Sequence, residues 1–141
     1  MYKIAICDDC REALREIEKL LRRYIEKNKI RAVVEAYQSQ MQLLTELESG
    51  RYYDIIFMDI KMPGMNGLEL CETLHKQYPH IHFIALSNYD DYEYVRGTLQ
   101  NGAVDYLLKP ISEDELFAQI DSFLKRYAMR VPIHTARVSP E

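Results

Sequence analysis

What most constrains this chain is a fivefold alternation between short apolar runs and longer stretches of helical periodicity. The apolar runs cover residues 3–7, 32–37, 54–58, 81–86 and 104–108, all of strand length. The third run, Ile55-Ile56-Phe57-Met58, is almost wholly apolar, as expected of a strand covered on both faces of a parallel sheet. Each run is followed by a helix-spaced stretch: residues 10–28, 41–49, 68–77, 90–101 and a last one to about Arg126. In the first, Leu14, Ile17, Leu20, Leu21, Tyr24 and Ile25 recur at three and four, with Arg and Glu on the other face.

Punctuation supports these boundaries. Asp9 with Glu12, Asp90 with Glu93 and Ser112 with Glu115 have capping-box spacing. Ser39 can cap the second helix, Gly50 and Gly102 can stop the second and fourth, and Pro79 lies just past the third. Strand–helix alternation of this kind predicts a parallel sheet with helices on both faces and right-handed crossovers. The 141 residues make about one domain, long enough to bury a core without cross-links. The expected organisation is a folded domain over 1–127 and a flexible tail over 128–141, where periodicity fades and Pro132 and Pro140 occur, with no second domain.

Composition narrows the function. Eighteen basic against 22 acidic residues leave a net charge of −4, without the basic footprint of an autonomous nucleic-acid binder. No apolar run approaches the roughly 20 residues that cross a bilayer, and the N-terminus turns acidic at Asp8-Asp9, too soon for a secretory signal. Three cysteines, an odd number in a chain that needs no staples, fit a reducing cytoplasm.

In open α/β sheets, ligands bind beyond the carboxyl ends of the strands. Asp8 and Asp9 follow the first strand, Asp59 the third, Ser87 the fourth, and Lys109 and Pro110 the fifth. The second, expected at the sheet edge, ends in Tyr37, Gln38 and Ser39. Three carboxylates brought together repel unless a cation joins them, and an all-oxygen set of this charge suits Mg²⁺ rather than zinc. An Asp can serve as a nucleophile that takes a phosphoryl group. A metal, a lysine and a hydroxyl could then share the neutralisation that phosphoryl transfer requires.

Taken singly, these residues have bland readings: Asp8 and Asp9 as a helix start, Asp59 as a turn former, Ser87 as a strand-end hydroxyl, Lys109 as a solvated charge, Tyr106 as core. Together they carry a resemblance. Asp8-Asp9, the run from Met58-Asp59 through Lys61-Met62-Pro63-Gly64-Met65-Asn66-Gly67, Ser87, and Asp105-Tyr106-Leu107-Leu108-Lys109-Pro110 appear in order at the ends of the expected strands. Over about residues 2–126 the chain resembles the receiver domains of bacterial two-component response regulators. The stretch from Ser87 to Pro110 is similar to receivers joined to AraC-type DNA-binding domains, and the long first helix to those of LytTR-type regulators.

The resemblance implies a flavodoxin-like (βα)5 sandwich with strand order 2-1-3-4-5. Asp59 would be the phosphoacceptor, receiving its phosphoryl group from a sensor histidine kinase. Asp8, Asp9, Asp59 and the backbone carbonyl of Lys61 would hold Mg²⁺. Ser87 and Lys109 would bind phosphoryl oxygens, and Lys109–Pro110 would be a cis peptide. Tyr106 would turn inward as Ser87 moves. The surface of the fourth helix, fifth strand and fifth helix would then change its output partner or form a homodimer, to regulate transcription through a DNA-binding domain outside this chain. Such a domain transfers and hydrolyses only its own phosphoryl group and is not an enzyme acting on a separate substrate.

The chain departs from the family at Asn88, where Ala or Gly is usual, and at Cys10, where an acidic residue is common; Lys61 and Tyr89 fall at positions that tune phosphoryl lifetime. Three rival readings of the same residues exist. A haloacid-dehalogenase-like phosphatase would want a second Asp where Lys61 stands. A pseudo-receiver would need no phosphate. A redox switch would use the C-x-x-C formed by Cys7 and Cys10, although Cys7 reads as a small core residue.

Overall fold

A computed structural model describes residues 1–61, 67–88 and 105–130 of the chain. Five strands, β1 (Tyr2–Cys7), β2 (Ala32–Tyr37), β3 (Ile55–Asp59), β4 (His82–Ser87) and β5 (Asp105–Leu108), form one parallel sheet in the order β2-β1-β3-β4-β5. The described helices are α1 (Arg11–Asn28), α2 (Gln40–Glu48), α3 (Gly67–Gln77) and α4 (Glu113–Arg130). The parallel sheet is the one the alternation predicts, and its order is that of the flavodoxin-like doubly wound sandwich implied by the resemblance. The helix expected over 90–101, its stop at Gly102, and Tyr89 lie outside the described residues, as do residues 62–66 and 131–141.

Period-2 alternation along the central strands divides the core into two layers. Ala5, Cys7, Ile56, Met58, Phe83 and Ala85 face the side where Leu43, Leu47, Leu70 and Leu74 of α2 and α3 pack. Ile4, Ile6, Ile55, Phe57, Ile84 and Leu86 face the side of α1 and α4, with Leu14, Ile17, Leu21, Leu116 and Ile120. Every residue of β3 is buried, which is why its sequence shows no alternation of polar and apolar residues. Truncating Phe57, with no exposed surface, to Ala would cost about 3–5 kcal/mol.

Several boundaries differ from expectation for physical reasons. No side chain caps α1. The position before it is Cys10, whose N–H donates to Asp8 Oδ1 at 3.0 Å, so the Asp9–Glu12 capping box does not form. Asp54 precedes β3 instead of opening it, and its carboxylate accepts the Lys3 N–H at 2.8 Å. Asp59 and Ser87 are the last residues of their strands rather than the first beyond them. Helix α4 runs on to Arg130, past the expected end at Arg126. Its added turn carries Tyr127, whose ring meets Tyr2 edge-on at 5.6 Å and lies 5.9 Å from Phe123. Two signals act as expected: Ser39 Oγ accepts the Gln42 N–H at 3.1 Å, and Ser112 Oγ accepts that of Glu115 at 3.3 Å. Gly50 follows α2 at φ +99°, a conformation that favours glycine. Among the described residues no helix is long and apolar enough to cross a membrane.

Candidate functional site

Strand register assembles the site. Cys7 pairs with Met58 across β1 and β3, so Asp8, the next residue of one strand, comes beside Asp59, the next of the other. Asp59 pairs with Leu86 on β4, which puts Ser87 one step further along, and Ser87 pairs with Leu108 on β5, just before Lys109. Backbone bonds secure the loops: Asp8 N–H to the Tyr37 carbonyl at 3.0 Å, Ile60 N–H to Leu86 at 3.1 Å, and Lys109 N–H to Ser87 at 2.7 Å.

The side chains converge. Carboxylate oxygens of Asp8, Asp9 and Asp59 all lie within 4.8 Å of one another. Asp8 and Asp59 are buried and Asp9 is exposed, so the cluster opens to solvent on one side. Lys109 Nζ reaches Asp8 Oδ2 at 3.0 Å and Asp59 Oδ1 at 3.3 Å. The Lys61 N–H donates to Asp59 Oδ1 at 3.3 Å. Lys109–Pro110 is cis.

Charge is incompletely balanced. Burial, and then the neighbouring Asp8, push the Asp59 carboxyl up to about 6; Lys109 and the Lys61 N–H only partly offset them. Burial also works against the charge on Lys109, but the two carboxylates outweigh it and hold the ammonium above its ordinary value. The oxygen-only donors, the closeness of the carboxylates and the raised proton affinity of Asp59 fit a hard divalent cation such as Mg²⁺.

Ser87 Oγ is buried with no hydrogen-bond partner among the described residues, an uncommon state for a hydroxyl. Tyr106 is half-buried against the core layer under α2 and α3. Since Ala85 pairs with Tyr106 and Ser87 with Leu108, Ser87 and Tyr106 lie on the same face of the sheet. Burial, followed by the nearby carboxylates of Asp8, Asp59 and Asp9, pushes the Cys7 thiol up to about 12, while Cys10 is exposed. At neutral pH Cys7 therefore holds little of the thiolate that redox exchange requires.

Of the residues singled out at strand ends, Asp8, Asp9, Asp59 and Lys109 thus meet one another, Ser87 ends β4 beside them in register with its hydroxyl unengaged among the described residues, and the Tyr37 and Ser39 hydroxyls bond elsewhere, to Tyr53 and the Gln42 N–H. Sequence reasoning missed a second polar cluster at the opposite end of the sheet, where Asp105 Oδ2 lies 3.0 Å from His82 Nε2 and 3.4 Å from an Arg126 nitrogen. No short motif joins these three, and only strand pairing and the packing of α4 unite them.

Comparison with known proteins agrees with this geometry. Residues 4–121 match the family described as the response regulator receiver domain. The chain is similar to the response regulator ArlR of Staphylococcus aureus, 40% identical over 75 residues, or 53% of this chain and 34% of that protein. It is also similar to YesN of Bacillus subtilis, described as an uncharacterized transcriptional regulatory protein, 36% identical over 70 residues, or 50% of this chain and 19% of that one. These matches thus span about a third or less of the relatives' lengths. A crystal structure of a response regulator receiver domain protein from Clostridium thermocellum superposes with a TM-score of 0.76 at 25% identity, covering 92% of this chain and 98% of that one. With the family matched over most of its length, and the parallel order β2-β1-β3-β4-β5 placing an acidic cluster at the strand ends, this chain belongs to the receiver domains of two-component response regulators.

Proposed function

We propose that Asp59 accepts a phosphoryl group from a phosphohistidine of a sensor histidine kinase. The observation that carries this reading is the approach of Lys109 Nζ to Asp59 Oδ1 at 3.3 Å, inside a cluster with Asp8 and Asp9. An Asp59 carboxylate oxygen attacks phosphorus, the P–N bond breaks, and the imidazole nitrogen keeps the electron pair and takes a proton. With its carboxyl at about 6, Asp59 is mostly ionised, and so nucleophilic, at pH 7.5. Lys109 neutralises charge on the transferred group, and the Ser87 hydroxyl, buried without a partner among the described residues, donates to one of its oxygens. Asp8, Asp9 and Asp59, with the Lys61 backbone carbonyl, would hold Mg²⁺, which supplies further neutralisation of the phosphoryl oxygens. Hydrolysis of the same acyl phosphate returns the domain to rest, with no separate substrate.

Engaging Ser87 with a phosphoryl oxygen gives its hydroxyl a partner that it has not among the described residues, and Tyr106 on the same sheet face answers by moving inward. That motion alters the surface that includes β5 and α4, changing an output partner or forming a homodimer. The output is transcription, in the cytoplasm, through a DNA-binding domain outside these 141 residues, a reading supported by the net charge of −4 of this segment, which lacks a basic footprint for nucleic acid. The test is intact-protein mass spectrometry after incubation with Mg²⁺ and acetyl phosphate. One added phosphoryl group is expected, absent in Asp59→Ala and without Mg²⁺. No addition to a folded protein that binds beryllofluoride points to a donor mismatch; no addition and no beryllofluoride binding would sink the proposal in favour of a pseudo-receiver. Light scattering with and without beryllofluoride tests the dimer.

A further inference from the structure

Strand β2 ends the sheet, so one of its edges has no neighbour in the order β2-β1-β3-β4-β5. The Tyr2 and Asp8 N–H groups donate to the Arg31 and Tyr37 carbonyls. Alternate residues of a parallel strand face the same neighbour, so Val33, Glu35 and Tyr37 bond β1, whereas Ala32, Val34 and Ala36 turn their N–H and C=O groups away from it. Natural sheet edges are blunted by Lys, Pro, bulges or short strands. Here β2 has six residues, Ala-Val-Val-Glu-Ala-Tyr, in unbroken register with β1. Its one charge, Glu35, is held by Arg51 and by the Tyr53 hydroxyl. Val33 is 40% exposed, and Ala36 is exposed as well.

The open edge adjoins a groove of about 480 Å³ between the end of α1 and the start of β2. Ile25, Ile30 and Ala32 give it apolar walls, and Arg22, Glu26 and Lys29 add exposed charges. Those charges belong to a basic run: residues 19–31 hold six Lys and Arg against the single acid Glu26, in a chain of net charge −4. Two of the cations turn toward α4, Arg23 to Glu113 at 2.6 Å and Lys27 over the Phe117 ring at 5.8 Å. Arg22 and Lys29 line the groove, and the contact of Arg22 with Glu18, exposed and at 3.8 Å, holds it only weakly. A second copy pairing through the same edge would set this basic rim against its own like. An acidic segment would meet it with opposite charge.

We propose that the edge of β2 and this groove receive an extended segment of a partner protein, aliphatic at its centre and acidic at its flanks, which adds to the sheet as a further strand. Main-chain hydrogen bonds to Ala32, Val34 and Ala36 supply affinity, the walls of Ile25, Ile30 and Ala32 take alternate aliphatic side chains, and Arg22 and Lys29 select the acidic flanks. This contact needs no phosphoryl group on Asp59.

The test uses the full chain and the synthetic peptide Asp-Glu-Val-Thr-Val-Thr-Val-Asp-Glu, with Lys-Arg-Val-Thr-Val-Thr-Val-Lys-Arg as the control of opposite charge. The readout is solvent exchange of the amide protons by NMR. Saturating acidic peptide is expected to slow exchange at Ala32, Val34 and Ala36 by at least about tenfold, as their N–H groups gain partners. Arg22→Glu with Lys29→Glu, both exposed, should weaken the acidic peptide at least about tenfold. Ala36→Pro should do the same, because it removes an outward N–H and no bond to β1; circular dichroism checks that each variant is folded. The proposal is overturned by no binding up to about 1 mM peptide, by equal binding of the two peptides, by binding that leaves the three amides exchanging as before, or by unchanged affinity in a folded form of either variant. Slowing that grows with protein concentration in the absence of peptide would overturn it too, since the occupant would then be a second copy. No phosphoryl donor is present, so failure of this edge and failure of Asp59 as phosphoacceptor are told apart.

Discussion

The ammonium of Lys109 stands 3.3 Å from Asp59 Oδ1, yet it is also the close cation for Asp8, at 3.0 Å. Among the described residues one ammonium thus serves two buried carboxylates, with Asp9 beside them. Burial, and then this crowding with Asp8, lift the proton affinity of Asp59, and the uncompensated carboxylates suit a divalent cation. The same crowding has consequences for stability that can be measured without any phosphoryl donor.

The first concerns pH. The Asp59 carboxyl rises from an ordinary value of 3.8 to about 6 on folding. A group whose folded value is raised contributes stability that is fully present below the unfolded value and is lost as pH climbs through the folded one. Metal-free protein should therefore lose about 1–2 kcal/mol between pH 4 and pH 7 through this group, a discounted equivalent of its shift. Asp59→Asn should remove that component and leave the variant more stable than the native chain at pH 7. Urea denaturation of both proteins at a series of pH values checks it; parallel curves would show that Asp59 is not strained by its neighbours.

A second concerns the cation. Mg²⁺ should raise the melting temperature, by the equivalent of about 2.7 kcal/mol when its concentration is 100 times the dissociation constant. EDTA should reverse the gain. Asp9→Asn should abolish most of it at little cost to the apo fold, because Asp9 is exposed whereas Asp8 is buried. The gain should also shrink below pH about 6, where protons occupy Asp59. Thermal scans with and without Mg²⁺ at two pH values decide the point.

The architecture and most of the site were legible because each rests on a local signal. The two sheet faces follow from alternation in β1 and from the apolar density of β3, and the site from polar residues at strand ends. Less legible were features that depend on contacts between distant residues. The start of α1 moved because the Asp8 carboxylate takes the Cys10 N–H, leaving Asp9 to the carboxylate cluster. The end of α4 moved because Tyr127 finds Tyr2 and Phe123, partners that helical periodicity cannot reveal. The orphaned hydroxyl of Ser87 depends on its whole surroundings and has no sequence signature.

The His82–Asp105–Arg126 cluster yields a third expectation. The hydrogen bond from His82, with the charges of His82 and Arg126, holds the Asp105 carboxyl below its ordinary value against the opposing effect of burial. Stability from a depressed carboxylate is present above the unfolded value and lost as pH falls through the folded one. Asp105→Asn should cost roughly 0.5–1 kcal/mol at pH 7, a modest figure because the partners are partly exposed. The difference from the native chain should vanish in acid, below the depressed value. Chemical denaturation at pH 7 and in acid measures both; a cost that persists in acid would assign it to shape rather than charge.

The last expectation separates a role in binding from a role in folding. Ser87 Oγ is buried without a partner among the described residues, a state that costs about 1–3 kcal/mol where no water or ligand relieves it. Ser87→Ala removes the hydroxyl with little change of shape. The variant should therefore unfold at the same denaturant concentration as the native chain, or at a higher one by the equivalent of up to about 1 kcal/mol. Its beryllofluoride affinity, by contrast, should fall roughly 10-fold, the value of one hydrogen bond to a charged group. Urea midpoints together with a beryllofluoride titration distinguish the alternatives. A loss of stability with unchanged affinity would mean that the hydroxyl serves the fold, and the assignment of Ser87 to the phosphoryl group would be withdrawn. Stability retained with affinity lost would identify the Ser87 hydroxyl, unsatisfied among the described residues, as a donor to a phosphoryl oxygen.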